Sequence, residues 1–415
     1  MSYISDGAYM LIKPESTAGT AVIPTILVPL VSTSLMTNVN HTADRRMKGL
    51  SWKSNDLLRG NRVHEGEIVC LADADNLGHF LNMAMVKGTT TGSAPNGYTH
   101  PFTVGTGKTY TVEFKVGVYA QRFFGVTIDE LKMEYEDGAA KVTMTVKAMG
   151  QCGVFTLGTA LAGSPTTTVV LDDDYDIDPS RGLVAGDVLK IGSTNCTVVS
   201  VSGSTVTISS ASPTLAAAGS LYLMPQTPSM PTLQDPFYFG NTLVGYGVDS
   251  TAATTAAGSR STATPVYDFV LTYKRNLFAQ NGSNRMDPVQ IIPVTPEAQI
   301  TLKQTFESVA QLQDYMDRIK QALTIIITGK HIKTDYTTSE LLTLKFHKVK
   351  LLENSNPLKV GELIFNEQNF EVLYDKILKE KPSKSKGNYL KSVVLCSTMG
   401  PGVKIEPQKV KWREE

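Results

Sequence analysis

The chain has 415 residues, of which 41% are hydrophobic and only 19% charged, with 39 basic side chains balanced by 39 acidic ones. A chain of this length can hold two or three domains with cores of their own, and its neutrality excludes a protein that holds nucleic acid by bulk positive charge. Cys70, Cys152, Cys196 and Cys396 are too far apart for a zinc motif or a disulfide framework and fit folding in a reducing compartment.

The opening MSYISDGAYMLIKPE has neither the basic flank nor the apolar core of a secretion signal, and no later stretch approaches the length of a membrane span. A strand is predicted over residues 8–12. The apolar run at 22–31 is broken by Pro24 and Pro29, which places it at a sheet edge rather than in a sheet centre. Residues 38–61 are polar and basic, and longer than compact domains leave unstructured, so they read as a functional loop.

From residue 65 the spacing predicts a strand at 67–71, then a helix capped by Asp73 with Leu77, Phe80, Leu81 and Ala84 on one face. Three strands follow, at 113–119 with Phe114, Val116 and Val118 inward, at 126–135, and at 141–148 with Val142, Met144 and Val146 inward. Asp137-Gly138 is the turn between the last two. Residues 167–223 are a run of short strands punctuated by Gly and Ser, with apolar residues sufficient for a barrel or sandwich of its own. The acidic series Asp172, Asp173, Asp174, Asp176 and Asp178 lacks the central Gly and terminal Glu of a calcium loop, and reads as a solvated turn. A proline-rich linker with the soft tract STAATTAAGSRSTATP leads to a strand at 268–277, with Phe269, Leu271 and Tyr273 on one face.

Residues 300–350 then repeat the earlier order. A helix is predicted over 305–322, capped by Thr305, with Phe306, Val309, Leu312, Met316 and Ile319 on its apolar stripe. A strand at 323–328 and a half-buried strand through Leu342, Leu344 and Phe346 follow, and a hairpin joins 341–350 to 362–374. The repetition is one of element order, and it fits either two similar folds or two parts of one larger fold. The end of the chain is basic. Gly105-Thr106-Gly107-Lys108 lacks the spacing of a phosphate loop, and the histidines, His64, His79 and His100 among them, show no metal-ligand spacing. No catalytic set is spelled out by any motif.

Four stretches carry a family resemblance: GAYMLIKPESTAGTAVIPT, VHEGEIVCLADADNLGHFLNMAM, FGVTIDELKMEYEDGAAKVTMTVKAMG and ITLKQTFESVAQLQDYMDRIKQALTIIITG. Together they resemble the tail tube proteins of tailed bacteriophages, over about residues 7–149 and 268–374. The turn at Glu15, Gly19 and Thr20 and the hairpin start at Gly125 are the most specific parts.

The resemblance implies a mainly β fold with few helices, a tail-tube-like sandwich or barrel; the element order adds two repeated strand–helix–hairpin units as one of its two readings, and the module at 167–223, an inserted small β domain, departs from the simplest members of the family. The implied organisation is a first unit at 1–163 with the loop at 38–61, the inserted domain at 164–225, a linker at 226–265, and a second unit with a basic tail at 266–415. It further implies a virion tail protein made in the host cytoplasm, with a structural rather than enzymatic role and no cofactor. Such chains form stacked rings around a channel for DNA, which passes without specific binding, and they meet other tail proteins at the tube ends. Three fused chains, or six, would close one ring. By the resemblance the loop reaches an adjacent ring, which makes Asp44, Arg45, Arg46, Lys48, Trp52, Lys53, Arg59 and Arg62 the candidate inter-ring residues. A capsid decoration or baseplate protein is the alternative.

Overall fold

The protein is described by a computed structural model over residues 8–44, 56–93, 97–136, 138–163, 165–172, 178–211, 213–228, 234–259, 263–264, 266–282, 285–305, 313, 316–317, 319–331, 339–355, 365–373, 393–395 and 403–405. The chain divides into two units, Met1–Val372 and Leu373–Glu415. In the second unit the described residues form one antiparallel pair, Val393–Leu395 with Val403–Ile405.

The first unit is mainly β and is built on a curled 15-stranded sheet. Its strands fall into two sets with the same neighbours. In the first set Met36–Asp44 pairs with Asp56–Leu71, which pairs with Ala139–Ala148, which pairs with the C-terminal half of Tyr119–Glu136; the N-terminal half of that strand pairs with Tyr110–Val116. In the second set Val266–Lys274, Glu297–Thr305, Phe365–Val372, Ser339–Ser355 and Lys320–His331 pair in that same order.

The irregularities repeat as well. A bulge at Asp129 lies between Ile128↔Val146 and Glu130↔Thr145, and its counterpart at Leu352 lies between Leu351↔Phe370 and Glu353↔Asn369. A second register shift separates Tyr110↔Val126 from Val112↔Phe123, and again Gln321↔Val349 from Leu323↔Phe346. Bulges fix local twist and register, so matching bulges at matching places show that the two sets share one topology. They are joined edge to edge, with Glu130↔Lys274 through Glu134↔Val270 in antiparallel register.

Alternation decides which face is covered. Leu131, Met133, Val142, Met144 and Val146 are buried together with Ile68, Phe269, Leu271, Ile300, Leu302 and Phe370 in one core. The helix Ala74–Ala84 closes the core from the first set with Leu77, Phe80 and Met83, and Asp73 caps it by accepting from the Asn76 amide at 2.8 Å. Val116 and Val118, expected inward, are exposed. The inward residues of that region are Tyr110, Val112 and Phe114, because the strand ends at Val116 and turns at Gly117.

In the second set most of the helix expected over 305–322 lies outside the described residues. Thr305 ends a strand and Lys320 begins one, so 320–322 pair in the sheet instead of extending a helix, and Met316 and Ile319 are exposed. The first half of the soft tract expected as linker is a helix, and a strand precedes it. Thr242–Gly247 pairs with 322–327, and Ser250–Ala257 is a helix capped by Asp249. That helix lies directly on the strand because Gly245 and Gly247 have no side chains there. A Cβ on Gly247 would come within 2.4 Å of the Ala253 nitrogen.

A 6-stranded sheet over residues 154–223 has a separate core of Leu189, Ile191, Cys196, Val198, Val206, Ile208 and Leu221. This core also contains Ala120, Cys152, Phe155 and Leu157, which precede residue 164. The module covers the strand face of Arg122, opposite to Phe123 in the main core. In the second set the helix 250–257 covers the equivalent face, at Thr324 beside Leu323 and Ile325.

Candidate functional site

The uncovered face of the sheet is polar from the first set through the second. Glu130, Lys132 and Glu134 point away from the core, across from Thr143 and Thr145 on one side and Thr272 and Lys274 on the other. The same face continues through Glu297, Gln299, Thr301 and Lys303 to Glu367, Asn369 and Glu371. Its charges are locally paired: Lys274 Nζ lies 3.3 Å from Glu130 and Lys147 Nζ 2.9 Å from Asp129, and Thr301 donates to Asn369 at 2.7 Å. Exposed pairs of this kind add little stability. Among the described residues this face is a wall of mixed charge without a basic groove.

The second surface is the hairpin. Residues 38–61, expected as a loop, are strand for most of their length, with Met36–Asp44 paired to Asp56–Leu71 and only 45–55 between the strands. Arg45, Arg46, Lys48, Trp52 and Lys53 lie outside the described residues. Asp44 is paired with Asp56 and Arg59 with His41, so both belong to the ladder. Arg62 turns back to the base of the hairpin, where its Nη1 is 3.6 Å from Asp287 and its amide donates to the Met286 carbonyl at 2.9 Å.

That base is fastened by groups far apart in sequence. His64 Nε2 lies 3.0 Å from Asp287, Thr37 Oγ1 lies 2.7 Å from His64 Nδ1, and Thr37 donates to Gln151 at 2.6 Å. Burial alone would raise the Asp287 carboxyl, but the His64 hydrogen bond and the charges of His64, Arg62 and Arg181 outweigh it and hold Asp287 below its ordinary value. A second network ties the module to the sheet. Buried Arg122 donates to Glu113 at 2.8 and 2.9 Å and to both Asp187 oxygens at 2.7 Å. Burial opposes the Arg122 charge; the Asp187 hydrogen bonds and the two carboxylates hold its pKa up.

Neither network has the makings of a reactive centre. Every charge in the second is met by an opposite one, and burial pushes the Cys70 and Cys152 thiols up to about 12, far from a nucleophilic thiolate. Among the described residues no group of three or more His, Cys, Asp or Glu side chains is placed to hold a metal. Asp173, Asp174 and Asp176 fall outside them. Gly105–Lys108 packs on the helix Ala74–Ala84, with the Lys108 amide donating to the Asn82 carbonyl at 2.8 Å, so its backbone is committed to the fold.

The residues that carry the family resemblance meet at one carboxylate. Glu15 accepts from the amides of Gly19 at 2.9 Å and Gly125 at 2.7 Å, and from the Thr109 and Thr111 hydroxyls at 2.8 and 2.9 Å. The family described as phage tail tube protein matches the chain over residues 5–212, a span that contains this knot, the hairpin, the first strand set and most of the module. The chain belongs to the phage tail tube protein family. It is therefore a structural protein of a bacteriophage tail, of a family whose members self-assemble into a tube. No described helix of this tail tube protein is long and apolar enough to cross a membrane.

Proposed function

We propose that this tail tube protein forms rings of three chains, stacked into a tube through which DNA leaves the capsid, with the polar sheet face lining the channel. The observation that supports this best is the continuity of that face across two strand sets of identical order, since each set can serve as one sector of wall. Mixed charge suits a conduit, because a basic lining would hold the phosphates it must release. On this reading the strand sets within 1–153 and 266–372 are the two wall units, 154–223 is an exterior module, and the segment 226–265 contributes an edge strand and a helix to the second unit. The hairpin tip at 45–55 reaches the adjacent ring, and the ends of the tube meet other tail proteins.

Rings released from assembled tubes and weighed by native mass spectrometry are expected to contain three chain masses. In projection they should show three modules around the rim. Six chain masses with true sixfold symmetry would replace this reading with one in which both strand sets form a single larger sector.

A further inference from the structure

The second strand set lacks one partner that the first set has. In the first set, Tyr119–Glu136 uses one edge twice: 119–126 pairs with Tyr110–Val116, and beyond that strand 130–134 pairs with Val266–Lys274. Its counterpart, Ser339–Ser355, pairs with Lys320–His331 only as far as Lys350↔Lys320, while Phe365–Val372 occupies the opposite edge. Among the described residues nothing pairs with 351–355 on the first of these edges. At the other end of the sheet Met36–Asp44, the counterpart of Val266–Lys274, has its outer edge unpaired among the described residues.

We infer that these two edges join between neighbouring copies, Met36–Asp44 of one chain adding antiparallel to 351–355 of the next and repeating the junction that already exists inside the chain. The inference rests on the ring reading above and supplies its seam. The register follows from the shared bulges. Asp129 corresponds to Leu352, so Glu130, Leu131 and Lys132 correspond to Glu353, Asn354 and Ser355. Glu65 and Gln299 are equivalent through their partners, so Thr272, Tyr273 and Lys274 correspond to Met36, Thr37 and Asn38. The internal pairs Glu130↔Lys274, Leu131↔Tyr273 and Lys132↔Thr272 therefore predict Glu353 opposite Asn38, Asn354 opposite Thr37, and Ser355 opposite Met36.

The side chains on the two edges agree with this register. Met36 is 54% exposed, Val39 36% and Leu352 42%, a liability on an isolated sheet edge. Inside the chain the Arg275 amide donates to the Asp129 carbonyl at 2.7 Å, and the corresponding residues at the seam are Val39 and Leu352. Two exposed apolar side chains thus come to lie side by side. The Asn354 side-chain amide, buried and without a hydrogen-bond partner among the described residues, falls opposite Thr37.

The test is a cysteine pair, Asn38→Cys with Glu353→Cys, in full-length chains carrying Cys396→Ser. Oxidised rings should run as covalent multiples of the chain on non-reducing gels. The pair Ser34→Cys with Glu353→Cys, four residues out of register or roughly 13 Å along the strand, should not. Native rings with no cross-link from the first pair, or with equal cross-linking from both, would overturn the seam and leave the ring reading standing. Failure of native chains to form rings would overturn the ring reading and the seam together. Should the first cysteine pair prevent assembly, Asn38→Lys decides. It recreates the Glu130–Lys274 pair at the seam and should lower the protein concentration needed for rings by about two- to five-fold, while Asn38→Glu raises it by a similar factor. Equal assembly of native, Lys and Glu chains would overturn the inference.

Discussion

The Glu15 carboxylate accepts a hydrogen bond from the Gly125 amide at 2.7 Å across 110 positions of sequence. Its other oxygen takes the Gly19 amide and the Thr109 hydroxyl. Gly125 has φ +63°, and a Cβ there would sit 2.6 Å from Met149, so this turn needs glycine both for its backbone conformation and for the close approach. Replacing Glu15 with Ala strands two amides and two hydroxyls in a site that is only 4% exposed. The expected loss is about 3 kcal/mol in urea unfolding, and Glu15→Gln, which keeps one acceptor, should lose less.

Asp287 gives the hairpin base a pH dependence. Its carboxyl is held below its ordinary value of 3.8 in the folded chain, so its contribution is fully present above that value and is lost as pH falls through it toward the folded pKa. Asp287→Asn should therefore cost about 2 kcal/mol at neutral pH. The difference from the native chain should shrink as the pH is lowered below 3.8. A constant difference across acid titration of the unfolding midpoint would show that Asp287 acts through packing alone.

Arg122 makes the module part of the fold of the first unit. Replacing residues 164–225 with a short Gly/Ser link removes Asp187 and uncovers Arg122, Glu113 and Ala120. Such a chain is expected to express mainly as insoluble protein. The single change Arg122→Met, which leaves two carboxylates buried without a cation, should cost about 3–5 kcal/mol in chemical denaturation. Adding Glu113→Gln and Asp187→Asn should recover part of the loss.

Removal of the hairpin tip separates folding from stacking. Joining Asp44 to Asp56 through a two-residue Asn-Gly turn keeps the ladder, whose last pair is Asp44↔Asp56, and deletes Arg45, Arg46, Lys48, Trp52 and Lys53. Unfolding should be unchanged within about 0.5 kcal/mol. Electron microscopy should show single rings in place of tubes; tubes of native length would end the proposed role of the tip.

Much of the sheet was legible because its strands alternate strictly. Val142, Met144 and Val146, and Phe269, Leu271 and Tyr273, announce their buried face in the sequence. Asp73 announced its helix. The helix Ser250–Ala257 was hidden because its packing partners are backbone at Gly245 and Gly247, which leaves only an Ala/Thr tract to read. Residues 38–61 read as a loop for a related reason: the two strands of the hairpin are polar there and present no alternating apolar face, so only their pairing reveals them. Asp287, His64, Arg122 and Asp187 could not be found in advance. Each is defined by partners brought together from distant parts of the chain, and no spacing rule reports such a meeting.

The two strand sets share a topology but not a covering: a six-stranded module lies over one and a single short helix over the other. Because one polypeptide carries both, the two coverings cannot be exchanged or occur in unequal numbers. In the three-chain ring proposed above they would alternate without error, and the exterior would have only half as many equivalent angular settings as the wall beneath it. Any layer that wraps such a rod would engage it at the coarser spacing, while whatever travels through the bore would meet the finer one.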